Sequence, residues 1–346
     1  MTETTAQAPG DELAPEIAAP ERVPWWQRFV TGSSTWIGLI LVALIVAFSV
    51  LEYSSFVSAS NARNVATDAA VLLVISTGMT YVIITSGIDL SVGAVLVFSG
   101  VVSVKAMNAA GGDNWGTILV GLAAALGSGL GWGVLNGFLV AKARIPPLIV
   151  TLGSLGMSLG AALLITGGVD ERDVPFKLVT TIGAGRLFDQ VPWLVIIAFA
   201  VALVFGVLLA ATRFGRYTYA VGSNEEAARR AGIAVDRHLV KVYALAGTLS
   251  GLAGFMSLAR FSTTTLGGHD TDNLQAIAAV VIGGTSLFGG IGTMLGTVFG
   301  VFIPAVLQNG FVIVGVQPFW QQVAVGAVLI GAVYLDQLRR RSQHQR

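Results

Sequence analysis

The chain has 346 residues, 54% of them hydrophobic and only 11% charged, less than half the charged share of an ordinary soluble domain. That balance excludes a conventional water-soluble fold and makes lipid the solvent for most of the chain. The absence of cysteine excludes a disulfide framework and a thiolate metal site, His238, His269 and His344 lie too far apart to form an evident ligand cluster, and a net charge of +1 gives no sign of a nucleic-acid partner.

Residues 1–28 form a polar tail, rich in Ala, Pro, Thr, Asp and Glu up to Glu21 and expected to be disordered. A tail of that kind followed by many apolar segments is not a signal peptide. Stretches free of Asp, Glu, Lys and Arg then run from Phe29 to Leu51, Ala69 to Ile88, Asn114 to Ala141, Ile145 to Val169 and Gln190 to Thr212. Each reaches the roughly 20 residues that cross a bilayer core as a helix. The longest, Asn273 to Leu335, has turn-like breaks at Phe288-Gly289-Gly290 and Gln308-Asn309-Gly310 and holds room for three spans. The predicted helices are 36–52, 66–86, 91–108, 116–141, 146–167, 192–211, 240–262, 273–288, 291–308 and 319–337. The expected fold is an all-α polytopic membrane domain of about ten helices over residues 29–338, closed by a basic tail at 339–346.

An even count places both termini on one side. Positive flanking charge is retained in the cytoplasm. With the termini inside, the inner segments hold Arg22, Arg28, Lys142, Arg144, Arg213, Arg216, Arg229, Arg230, Arg237, Lys241, Arg339, Arg340, Arg341 and Arg346. Arg63, Lys105, Arg172, Lys177, Arg186 and Arg260 are left outside or near the outer face. The imbalance supports both the count and a cell-membrane topology with cytoplasmic termini.

Two internal patterns bear on architecture. Gly116-Thr117 followed by Asn136-Gly137-Phe138 echoes Gly292-Thr293 followed by Asn309-Gly310-Phe311. The Asn-Gly-Phe triplets read as turns ending the fourth and ninth helices, in an inverted repeat with its pathway between the halves. Gly127, Gly129, Gly131 and Gly133 recur at every second residue and suggest that the fourth helix is crowded and central.

The inner segment Thr212 to His238 is the most informative. Asn224 or Ser223 can cap a short helix from Glu225 to Ala231, with Glu225 and Glu226 at its positive end, Arg229 and Arg230 near its negative end, and Gly232 as its stop. It reads either as a basic loop that fixes topology or as a docking helix whose Ala227, Ala228 and Ala231 offer a closely approachable surface. In Ser86-Gly87-Ile88-Asp89-Leu90-Ser91, Asp89 or Ser91 can cap the third helix, or can face a translocation pathway. Gly167 to Val191 and Gly267 to Asp272 are polar outer segments, solvated loops or docking faces.

GIDLSVGAVL from Gly87, NGFLVAKARIPPLIVTLG from Asn136, GRYTYAVGSNEEAARRAGI from Gly215 and AIAAVVIGGTSLFGGIGT from Ala276 together resemble the permease subunits of ribose-type ABC importers for monosaccharides. The resemblance runs in order over roughly residues 65–337. It implies that residues 222–233 are a coupling helix seated in a cytoplasmic ATPase subunit, with Gly222, Asn224, Glu225, Ala228, Arg229 and Gly232 as coupling residues. It further implies a homodimer in a bacterial inner membrane, fed by an extracytoplasmic solute-binding protein, with Asp89, Ser91, Asn136 and Asn309 as pathway candidates. Asn273 and Gln275, where many members carry acids, and Ile291, where many carry Lys or Arg, depart from the pattern and leave the sugar open.

Energetics agree with this reading. The chain contains no G-x-x-x-x-G-K-[ST] phosphate loop, so ATP and magnesium would be bound by a partner, and the chain itself is not expected to be an enzyme or to hold a cofactor. Ion-coupled carriers keep carboxylates inside their spans, and the fourth, fifth, sixth, eighth and ninth helices carry none. The alternatives are a permease for another small solute, such as a polyol or an autoinducer, and an ion-coupled secondary carrier. A membrane-embedded enzyme lacks the clustered His, Cys or paired acids that chemistry requires.

Overall fold

The computed structural model describes residues 33–317 and, beyond them, Trp320, Val323, Gly326, Ala327, Gly331 and Tyr334. The tail 1–28, most of the helix expected over 319–337 and the basic segment 339–346 lie outside the described residues. The elements are α1 (Ser33–Leu51), a single turn α2 (Tyr53–Phe56), α3 (Ala59–Ile84), α4 (Val92–Ala110), α5 (Trp115–Ala141) and α6 (Pro147–Thr166). Next come the turn α7 (Phe176–Leu178), continued by a π-helical turn at Val179–Gly183, and a small antiparallel hairpin of β1 (Arg186–Leu187) and β2 (Val191–Pro192). There follow α8 (Trp193–Ala211), α9 (Arg213–Ser223), α10 (Glu225–Arg230), α11 (Val235–Phe261), α12 (Asp272–Ile282) and α13 (Met294–Ile313). Among the described residues, 7 helices (α3, α4, α5, α6, α8, α11 and α13) are long and apolar enough to cross a membrane. The protein is an all-α polytopic membrane protein.

Local chemistry sets the helix ends. Ser58 caps α3 by accepting from Asn61 N at 3.1 Å, Asn114 caps α5 through Thr117 N at 3.1 Å, and Thr293 caps α13 through Gly296 N at 3.0 Å. Pro147 opens α6, where its missing N–H costs nothing, and left-handed Gly167 closes it. The helix expected over 273–288 stops at Ile282, because Gly284 (φ 85°) takes the left-handed conformation and Thr285 N bonds back to Val280 O at 3.1 Å. The resulting α12 has 11 residues, about 16 Å of helix, half the thickness of a bilayer core.

The inner helices are α3 and α11. Their apolar windows are 83% and 78% buried, against 28% for α5. The glycine-rich helix is therefore peripheral, contrary to the sequence expectation, and its glycines divide by face. A Cβ on Gly129 or Gly133 would collide with the carbonyl oxygens of Gly247 or Tyr243 on α11, whereas Gly127 and Gly131 meet open space. Both Asn-Gly-Phe triplets lie inside helices, α5 and α13, and neither is a turn. Their glycines serve close approach, Gly137 to the Val240 backbone and Gly310 to the Phe48 ring. Between α3 and α13, Thr80 and Thr297 join hydroxyls at 2.7 Å, both buried. Such hydrogen bonds between spans stand where water offers no competition.

Candidate functional site

The α9–α10 segment is built as two short helices in series. Thr212 caps α9 through Gly215 N at 3.4 Å, and Gly215, Thr218, Val221 and Gly222 form its buried stripe. Asn224 then caps α10, its Oδ1 accepting from Ala227 N at 2.9 Å. Arg229 donates to Glu225 at 2.8 Å and to Asp236 of α11 at 2.5 Å, while Arg230 donates to Glu226 at 2.5 Å. Glu225 first, and then Asp236, hold the Arg229 guanidinium above its ordinary pKa. Gly232 (φ 82°) releases the chain into α11. Of the alanines, Ala227 and Ala231 are exposed, but Ala228 is buried against Ala141, Val221, Val235 and Leu239 and anchors the helix to the bundle. The outer surface of α10 is thus a charged face on an alanine-anchored base.

Gly222 is the point at which this segment meets the membrane helices. A Cβ there would collide with the carbonyl oxygen of Ile84, at the end of α3, and reach Gly290 N at 2.8 Å. Gly290 N donates to Ile84 O at 2.9 Å, and Ser86 Oγ donates to Phe288 O at 2.9 Å and Gly222 O at 3.2 Å. The turn after α3, the turn before α13 and the end of α9 are therefore tied in one knot. Beside it lies an open cavity of about 890 Å³ whose walls include Gly87, Arg144, Glu225, Arg229 and Tyr243.

Three of the four pathway candidates come together. Asp89 Oδ1 accepts from Ser91 N at 2.8 Å and Ser91 Oγ at 2.6 Å; Asn136 Nδ2 donates to Ser91 Oγ at 2.9 Å, and Ser154 donates to the Asn136 carbonyl. All four residues are buried, joining α4, α5 and α6 through hydrogen bonds. Asn136→Ala leaves the Ser154 hydroxyl without its acceptor and Ser91 without a donor, a loss of about 1–3 kcal/mol. The expected result is a lowered melting temperature in detergent, recovered in part by Asn136→Gln.

Asn309 stands apart, in a reciprocal amide pair with Asn61 at 3.0 and 2.8 Å. It belongs to the opposite end of the bundle, since Asn61 opens α3 and Ile84 closes it. At that end the 167–191 segment is bound rather than free. Glu171 pairs with Lys105, and Asp170 accepts from Thr264 Oγ1 at 3.2 Å and Leu266 N at 2.9 Å. Within 267–272, His269 is buried between Ser257 and Asp272.

Sequence reading missed α9 and the knot at Gly222. The first had a signal, the spacing of Gly215, Thr218 and Val221 behind Thr212. The second joins backbone groups far apart in sequence, and no residue type announces it.

The bundle of membrane-length helices is thus interrupted by a half-length one and carries a knotted pair of short helices at one end. The family model described as the permease component of branched-chain amino acid transport systems matches residues 61–333. The chain belongs to that family. It is 38% identical over 300 residues to the ribose import permease RbsC of Bacillus subtilis, covering 87% of this chain and 91% of that one. It is 33% identical over 322 residues to the fructose import permease FrcC of Rhizobium meliloti (91% and 88% covered). Against the D-allose transport system permease AlsC of Escherichia coli K12, identity is 35% over 316 residues (91% and 93%). No solved structure matches the chain. The resemblance to ribose-type ABC permeases read from the four sequence motifs is borne out by these relatives.

Proposed function

We propose that this protein is the transmembrane subunit of an ATP-driven importer for a monosaccharide, a ribose-like pentose or a hexose. It would act as a homodimer in a bacterial inner membrane, both termini cytoplasmic, with two ATPase subunits that bind ATP and magnesium and an extracytoplasmic binding protein that delivers the sugar. The observation that carries the reading is α10, a capped, ion-paired helix whose charged face points away from the bundle in a chain with no phosphate loop of its own. Relatives matched over nearly their whole length import ribose, fructose and allose.

In this mechanism Asn224, Glu225 and Arg229 form and present the coupling helix, Ala228 seats it, Gly232 ends it, and Gly222 passes its motion to the turns after α3 and before α13. Those turns rearrange the helices and open the pathway to each side alternately. Asp89, Ser91 and Asn136 hold α4, α5 and α6 together beside that pathway. The sugar undergoes no covalent change.

The test replaces both the ion-pairing and the terminating residue. Arg229→Glu with Gly232→Trp is expected to abolish co-purification of the ATPase subunit and ATP-dependent uptake, while the chain still reaches the membrane. Unchanged assembly and uptake in that double variant would rule the coupling role out.

A further inference from the structure

At the end of the bundle remote from α10, a cavity of about 430 Å³ opens between α3, α11, α12 and α13. Asp68 in its wall precedes Ile84 by 16 residues of continuous helix, roughly 24 Å at 1.5 Å per residue, so this space is separate from the one beside the coupling helix. Its volume falls within the range of small-molecule sites, about 300–1,000 Å³.

The lining is part polar and part apolar, with Val71, Leu72, Pro304 and Val312 beside charged groups of both signs. Asp68 pairs with Arg260 across α3 and α11. The other terminal nitrogen of Arg260, Nη1, is buried with no hydrogen-bond partner among the described residues. Such a buried donor without an acceptor is a standing cost. Asp272 is held by His269 Nδ1 at 2.7 Å, and His269 in turn by Ser257 at 2.8 Å. Gln275 stands one turn along α12, with Nε2 donating to Thr271 Oγ1 at 3.0 Å, and Gln308 and Asn309 complete the wall from α13. Phe261, partly exposed, adds an aromatic face, with the Arg260 guanidinium 5.2 Å from its ring centroid.

The chemistry of this set selects its ligand. Carboxylate, guanidinium and carboxamide groups supply donors and acceptors side by side, matching the adjacent hydroxyls of a sugar, and an aromatic ring suits its C–H face. Asp68 and Asp272 repel an anionic solute such as a phosphorylated or carboxylated sugar, and Arg260 opposes a cationic one. We propose that the cavity bounded by Asp68, Arg260, Phe261, Asp272, Gln275 and Gln308 is a binding station for a neutral monosaccharide. The assignment rests on the permease reading above and adds to it a place and a charge class for the solute.

Because the chain has no cysteine, Gln308→Cys introduces its single thiol. The full chain carrying this change, assembled with its ATPase in lipid nanodiscs, is labelled with a charged methanethiosulfonate reagent in the presence of D-ribose, D-fructose, D-allose or ribose 5-phosphate. The transported sugar is expected to slow labelling and the phosphorylated one to leave it unchanged. Asp173→Cys, at an exposed position of the outer 167–191 segment, controls for reagent effects. In a second arm, Gln275→Ala lowers uptake about tenfold, the loss of one hydrogen bond to substrate, with membrane level and ATPase co-purification as in the unaltered chain.

Labelling indifferent to a sugar that the unaltered chain transports, or full uptake by both Gln275→Ala and Phe261→Leu, overturns the binding station and leaves the permease reading standing. A thiol that reacts only after the two copies are separated overturns it in favour of an interface between copies. If the unaltered chain takes up none of the three sugars while assembling normally with the ATPase, the sugar reading falls and takes this station with it.

Discussion

Gly129→Leu is expected to abolish accumulation of the folded chain, whereas Gly127→Leu, two residues away on the same helix, leaves it at the level of the unaltered protein. Any side chain at 129 drives into the Gly247 carbonyl and the Gly251 backbone, and α11 answers with glycines of its own at 247 and 251, so neither helix can retreat by moving a rotamer. Overpacking against side chains costs about 1–3 kcal/mol. Here both walls are backbone, and the cost must be met by separating α5 from α11. At 127 the same leucine enters open space. In-gel fluorescence of a tagged chain after detergent extraction, with a thermal melt of whatever remains, separates the two outcomes. Comparable yields and melting temperatures for both variants would show that the α5–α11 contact is not what holds the fold.

Gly222→Val is expected to reduce uptake to background while the chain still inserts and the ATPase still binds. The obstruction is local, since the added carbons meet Ile84 O and Gly290 N and force α9 away from the turns it is tied to. The α10 helix keeps its Asn224 cap and its ion pairs, so the docking face survives. The expected signature is ATP hydrolysis without transport. Gly222→Ala should fall between the two, because a single methyl still strikes the Ile84 carbonyl but allows a smaller retreat. Uptake by the valine variant at the unaltered rate would mean that force does not pass through this knot.

These two glycines also mark how far the sequence could be read. Helices α3, α5, α6, α8 and α13 follow largely from charge-free stretches, because lipid makes hydrophobicity a nearly sufficient signal. The same signal overextended the helix from 273, since Gly283 and Gly284 are as acceptable to lipid as any apolar residue and the left-handed turn at Gly284 is a matter of backbone geometry. Spacing made the α5 glycines look central, when only alternate ones face a neighbour. The Asn-Gly-Phe triplets resembled turns, yet Gly137 and Gly310 are small because another element presses on them.

The candidate site divides in the same way. The Asn224 cap, the Gly232 stop and the Asp89–Ser91 turn are local and were legible. Burial of Ala228, the tie between Gly222 and Ile84, and the pairing of Asp68 with Arg260 depend on which helices become neighbours. Gln275, noted in the sequence only as a missing acid, turns out to lie in the wall of the cavity remote from α10.

Helix α3 reaches both regions without a break, its last carbonyl in the Gly222 knot and its Asp68 in the opposite cavity. Linkage between two binding events is symmetrical in free energy. If seating the ATPase at one end of this rod alters the hold on solute at the other, solute must alter the seating of the ATPase by the same factor. An empty permease and a loaded one would then differ in how tightly they grip their motor.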